Sequence, residues 1–460
     1  MKRVVIIGGG PGGYVAAIRL GNLNFDVTLI EKEKIGGVCL NEGCIPTKAI
    51  YRSAEILNIA HNLEDYGISM DGNPKPELKR IRERKENIVD TLVGGIEKLV
   101  EASQTRVIYG EAKILGKKEI SVNGVIMAYD KLIIATGSQT FIPPIKGVGL
   151  ENVVTSKELL ELKTIPDELI IIGGGVIGME FAGIFNSFGS KITVLEALPS
   201  ILPNMDGELV KRVKPLLKRQ GMNIITSVMV TEIKENNGKL EVTYDTKKGP
   251  QTISGDQVLV STGRRPSVQG FGIEALDIQI EPTGIVVDDN FRTSDPDVFA
   301  IGDVNGKWQL AHAASSQGEF VAELIAGETP VIGKVMPGCI FMFPEMASVG
   351  KTEEELKLEG IPYLTSKFML GANGKALTMG ETDGLVKVIT DENEVIIGVH
   401  ILGAHASDYI HEGVLACEKS MKVEEFKSVI HAHPTLSEAF YESVMGIKGE
   451  AVHMINKNRG

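Results

Sequence analysis

The sequence predicts an α/β fold made of two Rossmann-like units, followed by an α+β portion at the C-terminal end. Three observations carry this. A glycine-rich turn between a strand and a helix occurs twice. An apolar strand ending in Thr-Gly also occurs twice. Near the C-terminus the pattern changes to that of a β-hairpin.

The elements follow in chain order. Arg3-Val4-Val5-Ile6-Ile7 is a short apolar run and reads as a buried parallel strand. Gly8-Gly9-Gly10-Pro11-Gly12-Gly13 opens a helix predicted over Tyr14 to Leu20. Val27 to Ile30 is the next strand and ends at Glu31. The order then returns. Leu169 to Ile172 precedes Gly173-Gly174-Gly175-Val176-Ile177-Gly178, a helix from Met179, and a strand Ile192 to Leu195 ending at Glu196. Glu31 lies 23 positions after Gly8, and Glu196 lies 23 after Gly173. Gly8, Gly10 and Gly13, and again Gly173, Gly175 and Gly178, permit a tight turn and let a pyrophosphate approach a helix N-terminus. The acid then accepts from a ribose. One such loop is weak evidence, but two copies in matching context are strong.

Leu132 to Ser138 and Val258 to Arg264 are the second echo, each an apolar strand ending in Thr-Gly. Thr136, Gly137 and Gly263 therefore each close a nucleotide unit. Val298-Phe299-Ala300-Ile301-Gly302-Asp303 is a further apolar strand, delivering Asp303 either as a turn residue or towards a polyol. Lys387 to Thr390 and Val395 to Leu402 read as a hairpin across Asp391 to Glu394. The basic run from Glu77 to Lys85 is interrupted by acids, and Leu78, Ile81, Ile88, Leu92, Ile96 and Leu99 recur at helical spacing. It reads as the solvated face of a long amphipathic helix.

At 460 residues the length suggests roughly three domains. The net charge of −12 argues against nucleic acid as a partner. No run of 18 apolar residues implies a membrane span, and a strand begins almost at residue 1 with no targeting segment before it. A cytoplasmic location is expected. Four cysteines do not make a secreted disulfide framework. His400, His405 and His411 do not fit a metal site, so none is expected, and Cys339 and Cys417 read as buried thiols.

Two clusters carry chemistry. Cys39 and Cys44 lie five positions apart in Cys39-Leu40-Asn41-Glu42-Gly43-Cys44-Ile45-Pro46-Thr47-Lys48. On a regular helix they would not face each other. A local distortion at Gly43 would bring the sulfurs together, giving an accessible disulfide that can cycle. Two buried thiols are the plain alternative. His431-Ala432-His433-Pro434-Thr435-Leu436-Ser437-Glu438 places an imidazole with a carboxylate to orient it. A thiol reacts as its thiolate, so dithiol oxidation needs such a base. A His-Pro turn starting a helix explains the motif equally well.

Taken together, these segments resemble the flavoprotein disulfide reductases, in the branch that oxidises dihydrolipoamide. The likeness runs in order from Val4 to the C-terminal tail. It implies two Rossmann-like dinucleotide-binding domains plus a C-terminal α+β dimerisation domain. The expected bounds are 1–145 for FAD binding, 146–268 for NAD binding, 269–335 for a segment completing the FAD site, and 336–460 for the interface. FAD is expected at the first loop, with Asp303, Ala311, His312 and Ala112 beside it. NAD is expected at the second, because Glu196 repels a 2′-phosphate and no Arg or Lys follows it in Ala197 to Ser200. Glu180 matches a position near the nicotinamide that pairs with Lys48, although it would also suit the first turn of a helix. By the same resemblance Cys39 meets the dithiol, Cys44 contacts the flavin, and His433 with Glu438 serves the other subunit's site. A homodimer follows, working with a lipoyl-bearing protein of a 2-oxo acid dehydrogenase or glycine cleavage complex. A glutathione-type reductase is the alternative, and Glu196 speaks against its NADP. Mercuric and large thioredoxin reductases need cysteines that the Gly446 to Gly460 tail lacks. An FAD-bound scaffold is the non-enzymatic reading. Two departures stand out. Val38 replaces a usual threonine, and Phe341-Met342-Phe343-Pro344-Glu345 differs from the usual segment. Neither is expected to touch a residue with an assigned chemical role.

Overall fold

The structure, a computed structural model, describes residues 2–455; Met1 and the last five residues of the tail lie outside it. Five parallel strands form the first sheet, in the order Val298–Ala300, Lys131–Ile134, Arg3–Ile7, Asp26–Glu31 and Arg106–Tyr109. Val4 to Ile7 are all buried, as a central parallel strand covered on both faces requires. The second sheet is ordered Asn223–Thr226, Lys191–Glu196, Glu168–Ile172, Gln257–Val260 and Val153–Val154, again parallel. In both sheets the central strand is the one that feeds the glycine loop.

The repeat extends further than the sequence motifs. Between Arg106–Tyr109 and Lys131–Ile134 the chain forms a three-stranded antiparallel meander over 112–128. Between Asn223–Thr226 and Gln257–Val260 a second meander covers 229–255. The helices after the loops start earlier than their predicted residues, at Pro11 and Val176. Pro11 lacks the N–H that a first helical residue leaves unpaired, so the helix begins on it.

The C-terminal sheet is antiparallel, ordered Gly338–Ile340, Met346–Gly350, Ile396–Leu402, Leu385–Thr390 and Leu364–Met369. It contains the predicted hairpin. Helices Ala406–Glu418 and Ser437–Gly446 pack on it through Ala406, Ile410, Phe440 and Val444. His400 is buried there, Nδ1 3.0 Å from Ser348 Oγ and Nε2 2.9 Å from the Lys351 carbonyl.

The predicted amphipathic helix spans Leu78–Ala102, but its faces are corrected. Lys85, read as solvated, is buried and bonds Glu161 and the Leu160 carbonyl. Leu92 and Leu99, read as apolar-face residues, are exposed. The lysine's stem adds packing area while its ammonium finds partners in the second unit.

A second buried lysine ties the second unit to the C-terminal sheet. Lys387 is 0% exposed, and its Nζ lies 3.0 and 2.8 Å from the Asp206 carboxylate oxygens and 2.6 Å from Glu353 Oε2. Asp206 also accepts from Glu208 N–H at the start of helix Gly207–Arg219. Removing one partner of a buried ion pair leaves an uncompensated charge. Lys387→Met is therefore expected to cost about 3–5 kcal/mol, read as a lowered thermal unfolding midpoint. An unchanged midpoint would show the cluster to be solvated.

Candidate active site

The glycine loops set the site. Gly8 and Gly173 take φ +103° and +108°, which L side chains rarely adopt, and a Cβ on either would collide with the carbonyl of Ala135 or Ser261. Each loop is braced by its acid. Glu31 accepts from Gly9 N–H at 2.6 Å and Glu33 N–H at 2.8 Å. Glu196 accepts from Gly174 N–H at 2.6 Å and Leu198 N–H at 2.7 Å. Sequence reading assigned these acids to a ribose and missed this bracing, which the second lone pairs of both oxygens leave compatible with a ligand.

One continuous cleft of about 3360 Å³ joins the two loops. It exceeds the usual drug-sized site of about 300–1000 Å³ and has room for two extended ligands. Glu31, Ala112, Thr136, Gly137, Asp303, Ala311 and His312 line it, as do Glu180, Glu196 and Gly263. His312 Nε2 is 2.9 Å from the Pro337 carbonyl. Gly13 and Gly178 do not line the cleft but sit at the loop bases, where a Cβ would strike the Gly8 and Gly173 carbonyls. Gly10 has no atom nearer its would-be Cβ than Gly37 Cα at 4.0 Å, and Gly175 has none within 4 Å. These cradles fit the pyrophosphates of two dinucleotides.

The cysteines lie between the loops. The chain forms helix Gly37–Asn41, breaks at Glu42-Gly43, and resumes as helix Cys44–His61. The expected distortion therefore exists, and it puts Cys44 in the first turn of an 18-residue helix. Both cysteines are free thiols lining the cleft. The hydrogen bond from Cys39 lowers the Cys44 thiol to about 7, helped by Lys48 against the opposing effect of burial. The same bond, with burial, pushes the Cys39 thiol up.

Lys48 Nζ is 2.9 and 2.8 Å from the two Glu180 oxygens, so the expected pair forms. Here an expectation is corrected. Phe341, thought to touch no such residue, donates its N–H to Glu180 Oε1 at 3.1 Å and sets its ring 4.7 Å from Lys48 Nζ. Its ring also meets Tyr51 edge-on at 5.8 Å. Val38 is exposed, and its carbonyl accepts from Glu42 N–H at the helix break. Cys339 also departs from its reading as a buried thiol, because it is half-buried on the cleft wall; Cys417 is buried. The thiol of Cys339 is pushed up to about 11, chiefly by desolvation. Asp303 accepts from Ser138 Oγ at 2.5 Å.

His433 and Glu438 stand apart from the cleft. Nδ1 of His433 is 2.9 Å from Glu438 Oε1, and Thr435 N–H donates to Glu438 Oε2 at 2.8 Å. Burial works against it, yet these donors hold the Glu438 carboxyl below its ordinary range. The His433 side chain is 77% exposed and does not line the cleft of its own chain. Among the described residues no group of His, Cys, Asp and Glu is arranged to hold a metal, and no helix is long and apolar enough to cross a membrane.

Two Rossmann-like units facing one cleft across a cysteine pair define a nucleotide-linked disulfide oxidoreductase. Residues 2–318 match the pyridine nucleotide-disulphide oxidoreductase family, and residues 336–444 match that family's dimerisation domain. The chain belongs to this family. It is 39% identical over 468 residues to the dihydrolipoyl dehydrogenase of Bacillus subtilis, covering 98% of each chain. It is 38% identical to that of Geobacillus stearothermophilus, covering 98% of this chain and 97% of the relative. Among solved structures, the HOCl-induced flavoprotein disulfide reductase RclA from Escherichia coli superposes with a TM-score of 0.87 at 29% identity, over 96% of this chain and 99% of that one.

Proposed function

We propose that the chain is a dihydrolipoyl dehydrogenase, oxidising protein-bound dihydrolipoamide to lipoamide and reducing NAD. The observation that carries this is the cysteine pair, with its Lys48–Glu180 neighbour, set between two nucleotide loops in one cleft. Full-length similarity to dihydrolipoyl dehydrogenases supports the substrate.

In this reading the resting enzyme carries the Cys39–Cys44 disulfide. A substrate thiolate attacks Cys39 Sγ, forming a mixed disulfide and releasing Cys44 as a thiolate. The lowered Cys44 pKa suits that leaving group. His433 of the partner subunit takes the proton of the second substrate thiol, whose sulfur displaces Cys39. Cys39 leaves as a thiolate and takes back the proton from His433, while Cys44 stays a thiolate, the proton of the first substrate thiol having passed to solvent. Substrate leaves as a disulfide, and the enzyme holds the reduced cysteine pair with two added electrons. FAD, when bound, relays those electrons to NAD. Lys48 and Glu180 fix charge between the two nucleotide positions. The site is thus completed only in a homodimer, supported by the dimerisation domain and by the exposure of His433. The domain bounds given above, a lipoyl-bearing partner and a cytoplasmic location belong to the same proposal.

NADH-driven reduction of lipoamide, run beside glutathione disulfide, tests the substrate. Turnover is expected with lipoamide alone; turnover with glutathione disulfide alone would assign the alternative. The nucleotide choice rests on Glu196. Glu196→Gln keeps an acceptor for Gly174 N–H but removes the charge that repels a 2′-phosphate. The kcat/KM ratio of NAD to NADP is expected to fall about tenfold or more, the equivalent of about 1.4 kcal/mol. An unchanged ratio would place the discrimination elsewhere.

A further inference from the structure

The two Thr-Gly segments cross, and the crossing is reciprocal. Ser138–Thr140 pairs antiparallel with Arg264–Pro266. Thr136 Oγ1 donates to the Ser267 carbonyl at 2.7 Å, and Thr262 Oγ1 donates to the Phe141 carbonyl at 2.9 Å. Ser267 N–H donates to the Gly137 carbonyl, and Phe141 N–H to the Gly263 carbonyl, both at 2.9 Å. The two copies thus exchange equivalent bonds. The symmetry breaks at the residue after each glycine, which is Ser138 in one copy and Arg264 in the other.

That asymmetric pair reaches into the cleft. Arg264 donates Nε–H to Ser138 Oγ at 2.7 Å and Nη2–H to the Ser138 carbonyl at 2.6 Å. Ser138 Oγ in turn donates to Asp303 Oδ2 at 2.5 Å. A hydroxyl has one proton. Because arginine cannot accept, the Ser138 proton is committed to Asp303. One lone pair of Asp303 Oδ2 is thereby taken, and the carboxylate keeps further acceptor sites for a ligand. All three residues line the cleft.

We propose that Arg264, on the strand leaving the second nucleotide unit, is a positioning residue for the FAD site of the first, acting through Ser138 to orient Asp303. This rests on the reading of the first loop as the FAD site. The arginine fork sets the Ser138 hydroxyl, and the hydroxyl sets the carboxylate as a charged acceptor facing the polyol. Burial pushes the Asp303 carboxyl up, and Ser138 and Arg264 oppose that rise. Retention of FAD therefore depends on contact between the two units, not on the first alone.

The test is the rate at which FAD leaves the purified holoenzyme, followed by the rise of free-flavin fluorescence on dilution. Arg264→Met and Ser138→Ala are each expected to release FAD at least about tenfold faster, the loss of one charge-assisted or buried hydrogen bond. The double variant is expected to release it no faster than the worse single variant, because both changes cut one relay. Ser138→Ala removes a single oxygen and keeps the test open if Arg264→Met does not fold. Wild-type release rates, or two effects that multiply, would overturn the relay. A wild-type chain that binds no FAD would instead overturn the FAD reading itself.

Discussion

Cys44→Ser is expected to abolish dithiol-driven NAD reduction, lowering turnover by at least about 10⁴-fold, the scale on which loss of one member of a catalytic set acts. A serine hydroxyl can neither form the disulfide nor leave as a stable anion. NADH is still expected to bleach the bound flavin in this variant, because both nucleotide loops are intact. Loss of both activities would mean that the variant no longer binds its cofactors. The same thiol should show its environment in the wild type. Its pKa is lowered to about 7, so the thiolate persists above that pH and is lost as pH falls through it. Alkylation of reduced enzyme at Cys44 should follow this inflection. Since the Cys39 hydrogen bond is the largest cause of the lowering, Cys39→Ala should move the inflection upward.

His433→Ala is expected to slow dihydrolipoamide oxidation by about 10²–10⁴, the usual worth of a general base. NADH-to-flavin transfer should be untouched. Glu438 holds His433 by one 2.9 Å bond and is itself fixed by Thr435 N–H, so Glu438→Gln should give a smaller loss of the same kind. The exposed position of His433 makes a stronger test possible. A mixture of Cys44→Ser and His433→Ala chains contains hybrid dimers with one site built from the two intact halves. About one quarter of wild-type turnover should return, given random pairing in a twofold dimer. No recovery in a mixture shown to exchange subunits would place His433 and Cys44 in the same chain's site.

Local sequence carried much of this architecture because its signals are local. The strands feeding Gly8 and Gly173 are unbroken apolar runs, and the acids at Glu31 and Glu196 sit at a fixed offset. The Cys39–Cys44 distortion was legible because an i, i+5 spacing has no regular-helix solution. What escaped were pairings between residues far apart in the chain. Lys387 meets Asp206 across 181 positions, and Lys85 meets Glu161 across 76. Polar periodicity marks Lys85 as solvated, and the hairpin pattern at Lys387 names no partner; only the packed structure shows both buried. Arg264 was visible beside its Thr-Gly but carried no sign that it bonds Ser138, 126 positions earlier. Phe341 looked like a neutral departure because both its contacts, backbone N–H to Glu180 and ring to Lys48, join positions far apart in the chain. The two meanders escaped although their pairings are local, because some of their strands are short and exposed and leave no apolar alternation; Val125–Ala128 buries none of its residues.

The measurement that bears most directly on the whole reading is NAD reduction by the purified, FAD-loaded protein given dihydrolipoamide, with NADP in parallel. Rapid formation of NADH, with little NADPH, is the predicted result. Flavin that NADH reduces but dihydrolipoamide does not would contradict it, leaving the cysteine pair without its assigned substrate.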